Sequence, residues 1–224
     1  MNRFLKDLLA ASLCALALTA CKEAGRTATE IPHDSVITLA EPDMTLGTPL
    51  MQSLSDRASR REFSDTPLSL EELSSLLWAA NGVNREDGRR TAPSAVNAQD
   101  IDIYVCLEWG AYLYDAAGKR LVRVSEEDLR PAVYGRQPMD APVFLVLVGD
   151  LSRYPEGLAA RRSTVESFAC MDAGYVSGNI GLYCAAASLA TVPRASMDKE
   201  ALARALDLPD TRIPLLNNPV GHIK

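Results

Sequence analysis

An α+β fold is predicted from three observations. A capped amphipathic helix, an alternating strand and a hairpin follow one another between residues 69 and 124. A continuous apolar run at residues 143–148 then reads as a central strand, buried on both faces. Strands and helices are mixed without the regular βαβ alternation of a doubly wound parallel sheet.

The elements can be justified in chain order. Arg3 and Lys6 form a basic start, and residues 8–18 are apolar. A stretch of about eleven residues is too short to span a bilayer, which takes about twenty, and it has the layout of an export signal. Leu18-Thr19-Ala20-Cys21 closes it and resembles the lipobox of bacterial lipoproteins. That resemblance implies cleavage after residue 20 and lipidation of Cys21. The protein would then be held at a membrane face, looking into the periplasm or the cell exterior, anchored and not spanning. An ordinary secretory signal with an incidental cysteine is the alternative. Residues 21–45 carry Gly25, Pro32, Asp34 and Pro42 without sustained periodicity, and read as a flexible tether. The folded domain is placed at residues 46–224.

A helix is expected at residues 49–59 with Leu50, Met51 and Leu54 inward. The next has clearer signals: Ser69 and Glu72 make a capping box, Leu70, Leu73, Leu77 and Ala80 recur at helical spacing, and Asn81-Gly82 ends it. Residues 100–107 alternate like a half-buried strand. Tyr112-Leu113-Tyr114 and Leu121-Val122-Arg123-Val124 flank a turn at residues 115–118 and read as a hairpin. Residues 163–189 form a long helix crowded with Ala169, Ala173, Gly174, Ser177, Gly178, Gly181 and residues 185–187. Such small residues admit another helix or a flat ligand. Asp198 can cap a last helix through Leu206, and residues 212–220 are strand-like.

Charge and composition exclude several functions. The formal net charge is −6, and removal of Arg3, Lys6 and Asp7 with the signal makes it −7, so nucleic acid is a poor partner. Besides Cys21, the mature chain has Cys106, Cys170 and Cys184, an odd and widely spaced set that does not form a disulfide framework. Cys106 and Cys184 read as buried small hydrophobes, and Cys170 has no histidine or acid placed to activate it. With His33 and His222 as the only histidines, metal clusters and His-based triads are nearly excluded.

Two segments carry chemistry. Residues 88–99, Gly-Arg-Arg-Thr-Ala-Pro-Ser-Ala-Val-Asn-Ala-Gln, are small, polar and backbone-rich, suited to a flat anionic ligand or simply to a connecting loop. Arg57-Ala58-Ser59-Arg60-Arg61-Glu62-Phe63 offers fork-shaped donors and a hydroxyl for phosphate oxygens. The same run also reads as a solvated basic helix end favoured by the helix dipole.

Taken together, four motifs resemble the FMN-dependent nitroreductase family. They are Arg57-x-Ser59-x-Arg61-x-Phe63 with the helix that follows it, Pro93-Ser94-x-x-Asn97-x-Gln99, Asp172-x-Gly174 in the small-residue helix, and residues 190–195, Ala-Thr-Val-Pro-Arg-Ala. The form Thr91-Ala92-Pro93-Ser94-Ala95 and the closing Asn218-Pro219-Val220-Gly221 resemble the branch that includes peptide-azoline dehydrogenases. The resemblance implies a nitroreductase-like fold with a mixed, mostly antiparallel central sheet flanked by helices, in a homodimer with FMN at its interface. It implies that Arg57, Ser59 and Arg61 hold the phosphate and ribityl end, with Arg61 reaching the pyrimidine side of the ring. Asn97 would pair with the carbonyl–imide edge, Pro93, Ser94 and Ala95 would pack close, and backbone N–H groups around Pro193, Arg194 and Ala195 would point at N5 and O4.

There are departures. Many members bring a further basic pair to the phosphate from beyond the final glycine, where this chain offers His222 and Lys224, and Ala58 stands where a larger or polar residue is common. No catalytic acid or base is named, because flavin N5 carries the chemistry. The function expected is a ping-pong oxidoreductase acting on a nitro compound or quinone, with NAD(P)H or a periplasmic molecule as donor. The alternatives are a dehydrogenase of a small molecule or peptide heterocycle, and a non-catalytic ligand-binding lipoprotein of the same fold.

Overall fold

The computed structural model describes residues 28–46 and 48–224. The signal segment and Cys21 lie outside them. Seven strands form one sheet in the order β1-β4-β3-β2-β5-β7-β6. These are β1 (Val36–Thr38), β2 (Ile101–Leu107), β3 (Gly110–Asp115), β4 (Arg120–Ser125), β5 (Val143–Asp150), β6 (Leu189–Thr191) and β7 (Arg212–His222). Every described pairing is antiparallel, in keeping with the mixed, mostly antiparallel sheet expected. The helices are α1 (Leu50–Asp56), α2 (Leu70–Asn81), α3 (Arg130–Tyr134), α4 (Glu156–Ala159), α5 (Arg162–Ala186) and α6 (Lys199–Ala205). Among the described residues, no helix is long and apolar enough to cross a membrane.

The alternation along the central strands divides the core into two layers. Val143, Leu145 and Leu147 of β5, with Ile103, Val105 and Leu107 of β2, pack against Leu73, Leu76 and Leu77 of α2 and Ala169, Ala173, Val176 and Ile180 of α5. Phe144, Val146 and Val148, with Tyr104 and Cys106, face the other way, where Leu129, Val133 of α3 and Leu202 of α6 cover them. All seven residues of β2 are therefore buried, not half of them. The supposed solvent face of β2 is roofed by short helices whose spacing was too brief to announce them. Full burial also settles two cysteines: desolvation pushes the Cys106 thiol up to about 12 and the Cys184 thiol upward as well. Cys170 is exposed.

Two expected elements differ. The stretch read as a tether instead packs on the domain over its described part. Val36–Thr38 pairs with Arg120–Val122 as an edge strand, and Ile31, Ile37 and Leu39 are buried in the larger core. Only every second residue of this short strand is apolar and inward, too few to show a period. Helix α1 stops at Asp56, because Arg57 turns to φ −57°, ψ 115°. Its Leu50, Met51 and Leu54 are 65%, 75% and 47% exposed, so they face outward, and Ser53 is the buried residue.

Helix α2 forms as its sequence specifies: the Ser69 side chain accepts from the Glu72 N–H at 3.1 Å, and Glu72 accepts from the Ser69 N–H at 2.8 Å. Its end has a different cause from the one expected. Gly82 is extended (φ −75°, ψ 161°), not left-handed. A Cβ there would lie 2.5 Å from Trp78 Cδ1 and 2.7 Å from the Trp78 backbone, so the glycine is required by close approach. Gly82→Ala is accordingly expected to lower the unfolding free energy by about 1–3 kcal/mol through overpacking. An unchanged denaturant midpoint would show that the turn can yield.

Candidate functional site

The arginine segment that follows α1 runs beside the far edge of the sheet. The Arg60 N–H donates to the Thr191 carbonyl of β6 at 2.9 Å, Phe63 bridges to Ile223, and the Ser64 N–H donates to the His222 carbonyl at 2.9 Å. These backbone ties hold Arg57, Ser59 and Arg61 in the open, where all three are exposed. Among the described residues, none of their side chains makes an ion pair or hydrogen bond. The stem of Arg57 passes over Gly181 of α5, about 4 Å from where a Cβ would stand. Arg61 lies near enough to Arg194 for its charge, after burial, to lower the Arg194 guanidinium.

Arg194 itself is not free. It is buried at 8% exposure, and its guanidinium donates to the Tyr134 carbonyl at 3.0 Å and to Gln137 and Ser196 at 3.3 Å. Its N–H donates to the Asn217 carbonyl at 2.8 Å, and its carbonyl accepts from the Asn217 N–H at 2.7 Å. Pro193 has no N–H. Of the three residues expected to present backbone donors, only Ala195 is left to do so, exposed at the surface and donating to no described backbone group. The double bridge to β7 was invisible in the sequence because Asn217 is remote from residues 193–195.

The loop at residues 93–99 is held from its other side. Ser94 Oγ accepts from the Gln99 N–H at 2.8 Å, and the Ala95 N–H donates to Asp172 Oδ2 of α5 at 2.9 Å. Arg90 donates to Gln99 Oε1 and to the Asn81 carbonyl, both at 3.1 Å, so the loop arginine and glutamine brace the loop internally. What remains is Asn97, exposed, whose side-chain amide makes no hydrogen bond among the described residues. The backbone here is strained: Val96, Asn97 and Gln99 have φ of 50°, 58° and 49°. Left-handed backbone is rare for β-branched Val96, and such strain persists only where surrounding contacts enforce it.

The predicted residues therefore fall in two groups. The run of Arg57, Ser59 and Arg61 lies along β6, where Arg61 comes near Arg194. Pro93, Ser94, Ala95 and Asn97 sit apart, with no hydrogen bond or ion pair joining them to the first group among the described residues. Both groups touch α5, at Gly181 and at Asp172, about 13 Å apart for nine residues of helix rise. His222 Nε2 lies 3.5 Å from Glu72 Oε2, which occupies it, and Lys224 is exposed. A cleft elsewhere, between Thr29, Leu68 and Trp109 with His33 stacked on Trp109 at 4.0 Å, contains none of the predicted residues. Sequence reasoning gave no role to Asp100 or Tyr154, which lie beneath the loop with Asp172. A lone acid in a small-residue helix and another just before a strand were the available signals.

Residues 54–222 match the model of the nitroreductase family. A candidate nitroreductase of Methanocaldococcus jannaschii is 30% identical over 177 residues, 74% of this chain and 87% of that one. An NAD(P)H-named FMN reductase of Bacillus subtilis is 25% identical over 186 residues, 77% of this chain and 65% of that one. The crystal structure of a candidate nitroreductase from Ralstonia eutropha JMP134 superposes with a TM-score of 0.77 at 38% identity, covering 89% of this chain and 96% of that one.

The two arginines near β6 should separate cleanly by mutation. Arg194→Ala removes buried hydrogen bonds and is expected to lower the unfolding free energy by about 2 kcal/mol. Arg57→Ala, exposed and unpaired, should change it by less than about 0.5 kcal/mol. Urea unfolding of both variants checks the pair, and equal losses would contradict the assignment.

Proposed function

The chain belongs to the nitroreductase family, and we propose that it is an exported, lipid-anchored FMN enzyme that carries electrons from a donor to a nitro compound or quinone by a ping-pong cycle. Membership makes it an oxidoreductase that works with a flavin. The observation that carries the finer reading is the arginine segment. In an acidic chain, Arg57 and Arg61 form no ion pair among the described residues and Arg61 lies near Arg194, a local excess of positive charge that suits a phosphate-bearing ligand.

The remaining donors fit FMN in kind. Asn97 offers both a donor and an acceptor for the carbonyl–imide edge, and Ala195 offers a backbone N–H for the N5 and O4 side. Arg57 and Ser59 would hold the phosphate and ribityl end, with Lys224 available to assist. Arg61 would place a positive charge where negative charge develops on reduction. Bound FMN supplies a centre that takes up and returns two electrons at N5. The protein's part is to bind, orient and expose one ring face to substrate, for which no side-chain acid or base is needed.

A homodimer completes this reading. Leu50, Met51 and Leu54 of α1, and Met171 and Tyr175 of α5, are large apolar side chains left exposed on one protomer. Added Cβ atoms at Gly174 and Gly178 would meet nothing within 4 Å, so these small residues leave room for a second helix. Members of the family are typically dimers. Because the two groups of site residues are separate in one chain, a second copy would bring a 93–97 loop to the other's arginine segment.

The donor follows from the address. The Bacillus subtilis relative is named for NAD(P)H. Those dinucleotides are scarce outside the inner membrane, so a quinol, a redox partner or an oxidisable substrate takes their place if export holds. The Thr91-Ala92-Pro93-Ser94-Ala95 and Asn218-Pro219-Val220-Gly221 segments favour a second reading, oxidation of a small molecule or peptide heterocycle in the manner of the azoline dehydrogenases.

The purified mature domain is expected to be yellow and to release FMN on denaturation. Asn97→Ala should raise the FMN dissociation constant about tenfold, the worth of one hydrogen bond, while Cys170→Ala leaves it unchanged. A colourless protein that takes up no added FMN would sink this reading. Bleaching by NADPH or by a quinol without oxygen distinguishes the reductase from the dehydrogenase.

A further inference from the structure

We propose that Asp100 and Asp172 share one proton and act as a positioning pair, Asp100 donating to the Asp172 carboxylate, which in turn holds the Ala95 N–H and fixes the 93–99 loop. That the fixed loop serves flavin rests on the function proposed above; the proton-sharing does not.

The geometry leaves few alternatives. Asp100 is fully buried and Asp172 is 2% exposed. Neither Asp100 carboxyl oxygen makes a well-formed hydrogen bond among the described residues, although the Tyr154 hydroxyl is near, while Asp172 accepts from the Ala95 N–H at 2.9 Å and from the Tyr154 hydroxyl at 3.4 Å. The two carboxyls lie against each other. A buried anion with no donor is strongly disfavoured, and two adjacent anions more so. A protonated Asp100 removes both problems, since its O–H has an acceptor in Asp172. The backbone of Asp100 cannot swing away, because its carbonyl accepts from the Asp150 N–H of β5 at 2.8 Å.

No cation is at hand to neutralise a second charge. The groups facing Asp100 are Asp172 from α5 and Tyr154, whose hydroxyl burial and the two acids push up. At the neighbouring strand ends, Arg153 is committed to Asp102 and the Gln99 carbonyl, and Arg212 to Asp150. Arg90 is held by Gln99 and Asn81. Burial, then the Asp172 carboxyl, pushes Asp100 from its ordinary 3.8 up to about 7. The raised value means that the folded protein keeps a proton the unfolded chain gives up. Its contribution is fully present below about pH 4 and is lost as pH rises through about 7.

The left-handed run above the pair is what the clamp must hold. Ala95 immediately precedes Val96 and Asn97, both at positive φ, so release of the Ala95 N–H lets the strained turn relax. Loss of the proton would therefore loosen Asn97 without touching it.

Three measurements on the flavin-free protein and one with FMN test the pair. At about pH 5.5 the wild type should show the infrared carbonyl stretch of a buried protonated carboxyl, and at about pH 8.5 it should not. Asp100→Asn, which keeps a donor toward Asp172 but cannot ionise, should lack that band at both values. The protection factor of the Ala95 amide, corrected for intrinsic exchange, should fall at least about tenfold between the two pH values in the wild type. In Asp100→Asn it should stay constant within about twofold and in Asp100→Ala it should be low throughout. No carboxyl band at the lower pH, or wild-type protection that ignores pH, overturns the proposal. So does Asp100→Asn behaving like Asp100→Ala, because packing and not the proton would then matter. The FMN dissociation constant should follow Ala95 protection. If protection follows pH but no FMN binds, the pair stands and the flavin reading falls; if FMN binds with no pH dependence of protection, the reverse holds.

Discussion

Helix α5 has to lie flat on the sheet over 25 residues while three other segments approach it closely. Ala169, Ala173, Val176 and Ile180 meet the sheet and α2 on its inner side. Gly181 passes the stem of Arg57, and Asp172 receives the 93–99 loop. Large side chains at these positions would push the helix off the core or the arginine off the helix. The scarcity of bulky residues in α5 thus reflects competing demands for one surface. Met171 and Tyr175 put apolar side chains on the outward side of α5 as well, which accounts for its weak amphipathic contrast despite its length. The strained Val96 and Asn97 are tied to the same helix through the bond from Ala95 to Asp172, and Gln99 is held by Arg90 and Arg153.

Local signals made much of the fold legible. The Ser69–Glu72 capping box, the hairpin around residues 115–118 and the apolar run of β5 each specify their element within a few residues, and all three are present. What was illegible depends on distant partners. Ile31, Ile37 and Leu39 look like scattered apolar residues until β4 supplies their pairing edge. Leu50, Met51 and Leu54 carry a helical period, but period says only that a face is apolar, not which molecule covers it. Gly82 was a terminator in either reading, yet the steric reason lies in Trp78 one turn earlier.

The site shows the same division. Asn97 could be singled out from residue type, since an amide in a small-residue loop has little structural use, and its side chain makes no hydrogen bond among the described residues. Arg194 could not be sorted that way. From sequence it stands beside a loop of interest, whereas its guanidinium and backbone are absorbed by residues 134, 137, 196 and 217. Asp100 is the opposite case: an acid before a strand reads as ordinary surface charge, and only the fold reveals that α5 brings a second carboxyl against it. Pairwise electrostatics of this kind cannot be read from spacing, because 72 residues separate the partners.

The charge arrangement bears on how a split site can work. Several arginines on this domain are matched with acids: Arg153 with Asp102, Arg212 with Asp150, Arg162 with Glu166 and Arg130 with Asp128. The 57–61 run departs from that pattern, and Arg61 even lies near another cation. Such a run attracts an anion more strongly the less water surrounds it. On one protomer it is exposed to water, where screening weakens that attraction. Covering it with an apolar helix face and a neutral amide loop from a second copy would lower the local dielectric and leave the anion's charge unopposed by any carboxylate. The negative charges nearest that loop are kept below it, at Asp172 and Asp100, where a shared proton halves them. In the proposed dimer, ligand affinity and subunit association would therefore reinforce each other, because the anion offsets the repulsion among arginines that the interface would otherwise bury.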